Sequence, residues 1–266
     1  MDIPTTEIAE AVLLREDNEG VTTLTLNRPK QYNAMSEAVL NALQRAFDDI
    51  AQDETIRVVV LASRGKAFCA GHDLKEMRAT PNQSYYNALF DQCSKMMMTI
   101  NRLPQPVIAR VHGLATAAGC QLVAACDLAV AADTARFATS GINVGLFCST
   151  PAVAVSRNLS RKQAFEMLVT GEFIDAYTAR ERGLINRVVP LEELDAAVQE
   201  LAQAIITKSA VAVTMGKEMF YKQLEMGMAE AYHYASEVMA CNMMADDAGE
   251  GIDAFMEKRP AVWKGK

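Results

Sequence analysis

Two stretches of this chain share one layout and constrain the fold more than anything else in it. Residues 56–77 read IRVVVLASRGKAFCAGHDLKEM and residues 106–127 read PVIARVHGLATAAGCQLVAACD. Each opens on an apolar run rich in β-branched residues, the pattern of a buried strand, and then meets glycine before a helix begins. A strand that ends in such a turn leaves backbone N–H groups unpaired and facing outward, which makes a nest for an oxygen anion. In the first stretch the turn is Ala70-Gly71-His72-Asp73-Leu74-Lys75. In the second, the turn leads into a short helix of small residues, whose first N–H groups lack intrahelical acceptors and carry the positive end of the dipole. Small side chains at Ala117, Ala118 and Gly119 let a ligand come close to that backbone.

The surrounding sequence reads as α/β. AVLLRE (11–16) and VTTLTL (21–26) form a predicted hairpin, with Asp17, Asn18, Glu19 and Gly20 between the strands. Ser36 opens a helix whose apolar residues Val39, Leu40, Leu43, Phe47 and Ile50 fall at helical spacing. A helix of roughly 20 residues is expected from Asn82, carrying Met96, Met97 and Met98. The last third is helical in pattern over 191–208, 212–225, 227–246 and 248–258. A composition shift near 205–210 suggests a core over 1–205 and a helical region over 206–266. Eight of the fifteen methionines lie between Met215 and Met256, where flexible thioethers suit helical packing, subunit contact or an adaptable apolar pocket.

Composition excludes several classes. Acidic residues number 33 against 26 basic, a net charge of -7, so a nucleic-acid-coating surface is not expected. Three histidines and six cysteines without a C-x-x-C pair speak against a zinc site and for reduced, mostly buried thiols. The first residues, MDIPTTEIAEAV, have no apolar core of a secretory signal and too few arginines for a transit peptide. No apolar run is long enough for a membrane span. These features together predict a cytoplasmic protein.

The two stretches, with Leu26-Asn27-Arg28-Pro29-Lys30 and Asn33-Ala34 before them, resemble the crotonase (enoyl-CoA hydratase/isomerase) family. The likeness continues through Thr170-Gly171-Glu172, Ala179-Arg180-Glu181-Arg182-Gly183-Leu184, Val188-Val189-Pro190 and Phe255-Met256-Glu257-Lys258-Arg259-Pro260, nearly the whole chain. It implies a spiral of ββα units with a helical C-terminal trimerisation region, and a homotrimer or dimer of trimers. It implies acyl-coenzyme A thioesters of fatty acid metabolism as ligands, the coenzyme being part of the substrate and no separate cofactor or metal being needed. Two backbone N–H groups, carried here by His72 and Ala118, would hold the thioester oxygen and stabilise an enolate. Lys30, the backbone of Ala70, His72, Asp73, Leu74 and Lys75, and Lys258 would neighbour the coenzyme. Asp73 is also expected to bond locally to its own turn.

The likeness breaks where family hydratases place two glutamates. One position is occupied by Gln121 and the other by Gly141, and neither side chain can serve as acid or base near neutral pH. Lyase or isomerase chemistry of the usual kind is therefore doubtful. His72 is the one side chain on the nest expected to titrate near neutrality. A few crotonase-fold decarboxylases carry a similar Ala-Gly-His-Asp run, which makes a malonyl- or methylmalonyl-type decarboxylase an alternative, although those enzymes have tyrosine at the position of Gly141. A non-catalytic acyl-CoA scaffold is the third reading. Asn143, Cys148, Ser149 and Thr150 are expected to border the acyl pocket, Cys148 being a weak candidate nucleophile. His112, His233, Lys222 and Arg259 read as structural or surface groups.

Overall fold

The computed structural model describes residues 11–265. The reading of the first ten residues as neither signal nor transit peptide lies outside that range. The chain opens with the hairpin of β1 (Leu13–Asn18) and β2 (Val21–Leu26), whose two-residue turn has Glu19 and Gly20 at φ 46° and 82°. Asp17 and Asn18 belong to β1, paired with Thr22 and Val21, and not to the turn as expected. A primed turn follows the twist of paired strands, so the ladder runs to its tip.

Helix α1 (Glu37–Ile50) starts where predicted, with Ser36 accepting from Val39 N–H at its N-terminus, and it buries the five apolar residues predicted for it. Next come β3 (Val58–Ser63), β4 (Ala67–Cys69), α2 (Leu74–Ala79) and α3 (Gln83–Arg102), the last capped by Asn82. The pattern then repeats as β5 (Val107–Val111), β6 (Leu114–Thr116) and α4 (Ala118–Ala125), followed by β7 (Leu128–Ala132) and β8 (Arg136–Ala138). A 3₁₀ turn (Ser140–Val144) leads to α5 (Ser149–Asn158), α6 (Arg161–Thr170), β9 (Ile174–Asp175), α7 (Ala176–Glu181) and β10 (Arg187–Val189). Four helices finish the chain: α8 (Leu194–Ile206), α9 (Ala210–Gln223), α10 (Met228–Met243) and α11 (Asp246–Glu257).

Two sheets result, one of order β1-β2-β3-β5-β7-β10 and one of order β4-β6-β8-β9. The pairs β3/β4, β5/β6 and β7/β8 each send their first member to the larger sheet and their second to the smaller, which is the ββα spiral implied by the resemblance. β1 and β9 are antiparallel to their neighbours and the remaining pairings are parallel. The second strands, three residues long in β4, β6 and β8, are implied by the ββα resemblance but could not be placed along the chain, because three residues carry too little periodicity. Helix α4 is buried on every side, which its uncharged, mostly small side chains permit. Gly119 is required there: a Cβ at that position would sit 2.1 Å from Cys69 O. Helix α8 covers the outer face of the larger sheet through Leu194, Ala197, Val198 and Ala202.

Among the described residues no helix is long and apolar enough to cross a membrane, and no cluster of acidic, histidine and cysteine side chains suits a metal ion. Five cysteines are buried and Cys241 is exposed, all unpaired. Of the C-terminal methionines, Met228, Met239, Met243, Met244 and Met256 are exposed, so they are not core residues of the single chain.

Candidate active site

The two glycine-bearing turns meet. Gly71 has φ 96°, and a Cβ there would lie 2.9 Å from Ala117 Cβ and 3.3 Å from Ala118 N. Met35 runs beside the first turn: its N–H donates to Gly71 O at 2.8 Å, and Asp73 N–H donates to Met35 O at 3.2 Å. In a parallel bridge the residue between those two faces away, so His72 N–H points away from Met35. Ala118 is the first residue of α4, where no intrahelical acceptor exists for its N–H. Neither N–H has a backbone acceptor among the described residues, and both residues line one cavity of about 380 Å³.

Ala117 holds the second donor in place through an unusual backbone. Its φ of 51° and ψ of -122° lie where an L residue is strained by about 1–3 kcal/mol. Its own N–H donates to Ala138 O at 3.0 Å, which ties the turn to β8. Strain kept beside an unpaired N–H is characteristic of sites where backbone direction matters.

The cavity walls come from the 70–77 turn and helix, Phe90, the Ala117-Ala118 turn and the 140–151 segment; His72 is the one basic residue among them, and no Asp, Glu, Lys or Arg lines them. Cys148, Ser149 and Thr150 border it as expected. Asn143 does not: it is exposed and donates to Gly171 O at 3.5 Å. Gln121, one helical turn beyond Ala118, is 4% exposed, and its Oε1 is enclosed without a partner among the described residues. At Gly141 a Cβ would meet Leu146 O at 2.7 Å and Cys148 Sγ at 2.8 Å. The space a side chain would need at position 141 is therefore filled by the following loop.

His72 departs from the expectation of a group titrating near neutrality. Its ring meets Phe90 edge to face at 5.4 Å, its Nε2 is buried without a partner, and burial pushes the imidazole down to about 4. It is neutral at pH 7. Burial likewise raises the Cys148 thiol, which keeps it protonated and weighs against its acting as a nucleophile. Asp73 behaves as local bonding predicts. Its carboxylate accepts from Lys75 N–H and Glu76 N–H and pairs with Arg28 at 3.0 Å. Burial pushes this carboxyl up, but the Arg28 and backbone bonds outweigh it and the net shift is downward.

The remaining expected residues fall in two groups. The turn bearing Lys30 packs beside the first nest, with Ala70 N–H donating to Tyr32 O at 3.0 Å and Asn33 Nδ2 to Ala67 O at 2.8 Å. Leu74 and Lys75 open α2 at the same edge. Lys258 sits at the end of α11 with φ 56°, and no residue of α11 lines the cavity. His112 Nε2–H donates to Gly65 O at 2.8 Å, and His233 pairs with Glu237 on the surface. Lys222 pairs with Glu218, and Arg259 with Glu250 and Glu257. The sequence reading did not find Phe90, Ser140, Leu146 and Phe147 as cavity residues; their contributions depend on which loop folds over which helix.

The family model described as Enoyl-CoA hydratase/isomerase matches residues 16–266. The mitochondrial enoyl-CoA hydratase domain-containing protein 3 of Rattus norvegicus is 46% identical over 92% of this chain and 82% of its own length. That name places the rat protein in mitochondria, which does not match the cytoplasmic location expected for this chain. A crystal structure of an enoyl-CoA hydratase from Mycobacterium smegmatis is 60% identical, with a TM-score of 0.94 over 96% of this chain and 99% of that one. The crystal structure of human enoyl Coenzyme A hydratase domain-containing protein 3 has a TM-score of 0.92 and 45% identity, over 95% of this chain and all (100%) of the other. The chain belongs to the enoyl-CoA hydratase/isomerase family.

Proposed function

We propose that this protein binds acyl-coenzyme A thioesters and stabilises a thioester enolate between the His72 and Ala118 N–H groups. The observation that carries the reading is the pair of N–H groups without backbone acceptors at one cavity. Such preorganised donors stabilise developing negative charge by about 3 kcal/mol each. The apolar walls suit an acyl chain. Lys30, Lys75 and Lys258 are proposed for the anionic coenzyme, with the backbone from Ala70 to Leu74 alongside it. A homotrimer or dimer of trimers is proposed as the working assembly.

Ordinary hydration of an enoyl thioester is proposed to be weak. With Gln121 and Gly141 at the two glutamate positions and no charged side chain along the cavity, the acid–base contribution of about 10²–10⁴-fold per group is missing. The unpartnered His72 Nε2 favours a second reading, decarboxylation of a malonyl-type thioester. There the neutral imidazole orients the carboxylate, and loss of CO2 itself delivers the enolate without a base.

Titration calorimetry with coenzyme A, crotonyl-CoA and malonyl-CoA tests the shared premise, and absence of saturable binding overturns it. Crotonyl-CoA hydration is expected at least about 10²-fold below that of a carboxylate-bearing relative. A rate equal to the relative's would sink the weak-hydratase reading. CO2 release that disappears in His72→Ala supports the decarboxylase, and tight binding without turnover of any thioester supports a scaffold.

A further inference from the structure

Ser140 and Thr116 form a hydroxyl pair that the enolate reading does not use. Thr116 ends β6 and is 6% exposed; Ser140 opens the 3₁₀ turn after β8 and lines the cavity beside Gly141. Their oxygens are 2.6 Å apart. The turn bearing Ser140 is anchored at its entry, where Thr139 Oγ1 donates to Met167 O at 2.8 Å.

One proton lies between the two oxygens, and the other must go elsewhere. Neither hydroxyl has a second side-chain or backbone partner among the described residues. If Ser140 donated to Thr116, the Thr116 proton would be left buried and unbonded, at the cost of an unsatisfied donor. If Thr116 donates to Ser140, the proton left over is that of Ser140, at the cavity wall, where a ligand can accept it. The second arrangement is the lower in energy. Thr116 thus occupies one acceptor site of the Ser140 oxygen and leaves the Ser140 hydroxyl, on a residue that lines the cavity, free to donate to a ligand there.

We propose that Ser140 is a specificity-determining residue that donates a hydrogen bond to a neutral oxygen on the acyl group, a ketone or hydroxyl, with Thr116 as its positioning residue. The inference rests on the acyl-thioester reading above and narrows it to oxygenated acyl chains. A neutral oxygen fits better than a carboxylate, because no cationic side chain lines the cavity and an unpaired charge there would be costly.

The test is calorimetric binding of acetoacetyl-CoA, 3-hydroxybutyryl-CoA, malonyl-CoA and unsubstituted butyryl-CoA to the full chain. At least one of acetoacetyl-CoA and 3-hydroxybutyryl-CoA is expected to bind roughly tenfold tighter than butyryl-CoA, the worth of one hydrogen bond. Malonyl-CoA is expected to gain no such advantage. Ser140→Ala should erase the preference, so that acetoacetyl-CoA and 3-hydroxybutyryl-CoA bind no tighter than butyryl-CoA. Thr116→Val should weaken it, and Thr116→Ser should restore it. A wild-type circular-dichroism spectrum and cooperative thermal unfolding in each variant show that the fold is intact. Equal affinities in the wild type, a larger preference for malonyl-CoA, or a preference that survives Ser140→Ala would overturn the proposal. If butyryl-CoA fails to bind the wild type, the acyl-thioester reading itself falls, and this inference with it.

Discussion

The His72 imidazole is the residue whose chemistry its surroundings change most. Packed on Phe90, it falls to about 4 from the 6.5 of a free imidazole, so between those values the unfolded chain holds a proton that the folded chain does not. Stability from this group is complete above about pH 6.5 and is lost as pH falls toward 4, by about 1.4 kcal/mol per pH unit within the window. Denaturant unfolding at pH 7 and pH 5 is expected to show a weaker protein at pH 5. His72→Gln should flatten part of that slope. His112, also held down by burial, supplies a further part. Parallel loss in wild type and His72→Gln would mean that the imidazole is not the source.

Among the elements, α9 is tied to the core by a buried ion pair that its sequence does not advertise. Lys217 Nζ donates to Ile100 O and Gln105 O, both at 2.9 Å, and to Asp127 Oδ2 at 2.6 Å. Asp127 also accepts from Val107 N–H at 2.6 Å and from Tyr221 O–H at 2.7 Å. Burial pushes the Lys217 ammonium down, although Asp127 opposes the shift, and burial beside that carboxylate pushes Tyr221 up. The pair thus joins the C-terminal helices to the end of α3 and the start of β5. Removing one partner leaves the other buried without compensation, so Lys217→Met is expected to destabilise by about 3 kcal/mol. The double change with Asp127→Asn should lose less than the sum of the single ones. A loss below about 1 kcal/mol in equilibrium unfolding of Lys217→Met would show that the pair does not anchor the helix.

At the scale of the molecule, α10 buries none of its residues within the chain, although its sequence is rich in apolar side chains. Met228, Tyr232, Met239 and Met243 are more than half exposed, as are Phe220 on α9 and Leu224 just after it. Exposed apolar side chains gathered on these helices are what the proposed trimer would cover. Light scattering at micromolar concentration is expected to give three or six times the 29.0 kDa chain mass. A 29.0 kDa species under those conditions would overturn the proposed assembly.

What could be read from the sequence is what neighbouring residues determine among themselves. Ser36 and the spacing of Val39, Leu40, Leu43, Phe47 and Ile50 specify α1 and its buried face, because cap and periodicity are local. The Gly71 turn and the small-residue entry to α4, which the structure places after β4 and β6, predict unpaired N–H groups for the same reason, and Asp73 predicts its own cap. Tertiary structure decided the rest. The three-residue strands form only because longer neighbours pair with them, and no pattern of three residues could announce that. The His72 value comes from desolvation by Phe90 and the other cavity walls, a sum over groups far apart in sequence. Thr116 and Ser140 are 24 residues apart, and Lys217 and Asp127 are 90 apart. Hydrogen bonds at such separations exist only once the layers have packed. Sequence fixes which backbone turns can offer donors; packing fixes which side chains share a cavity with them.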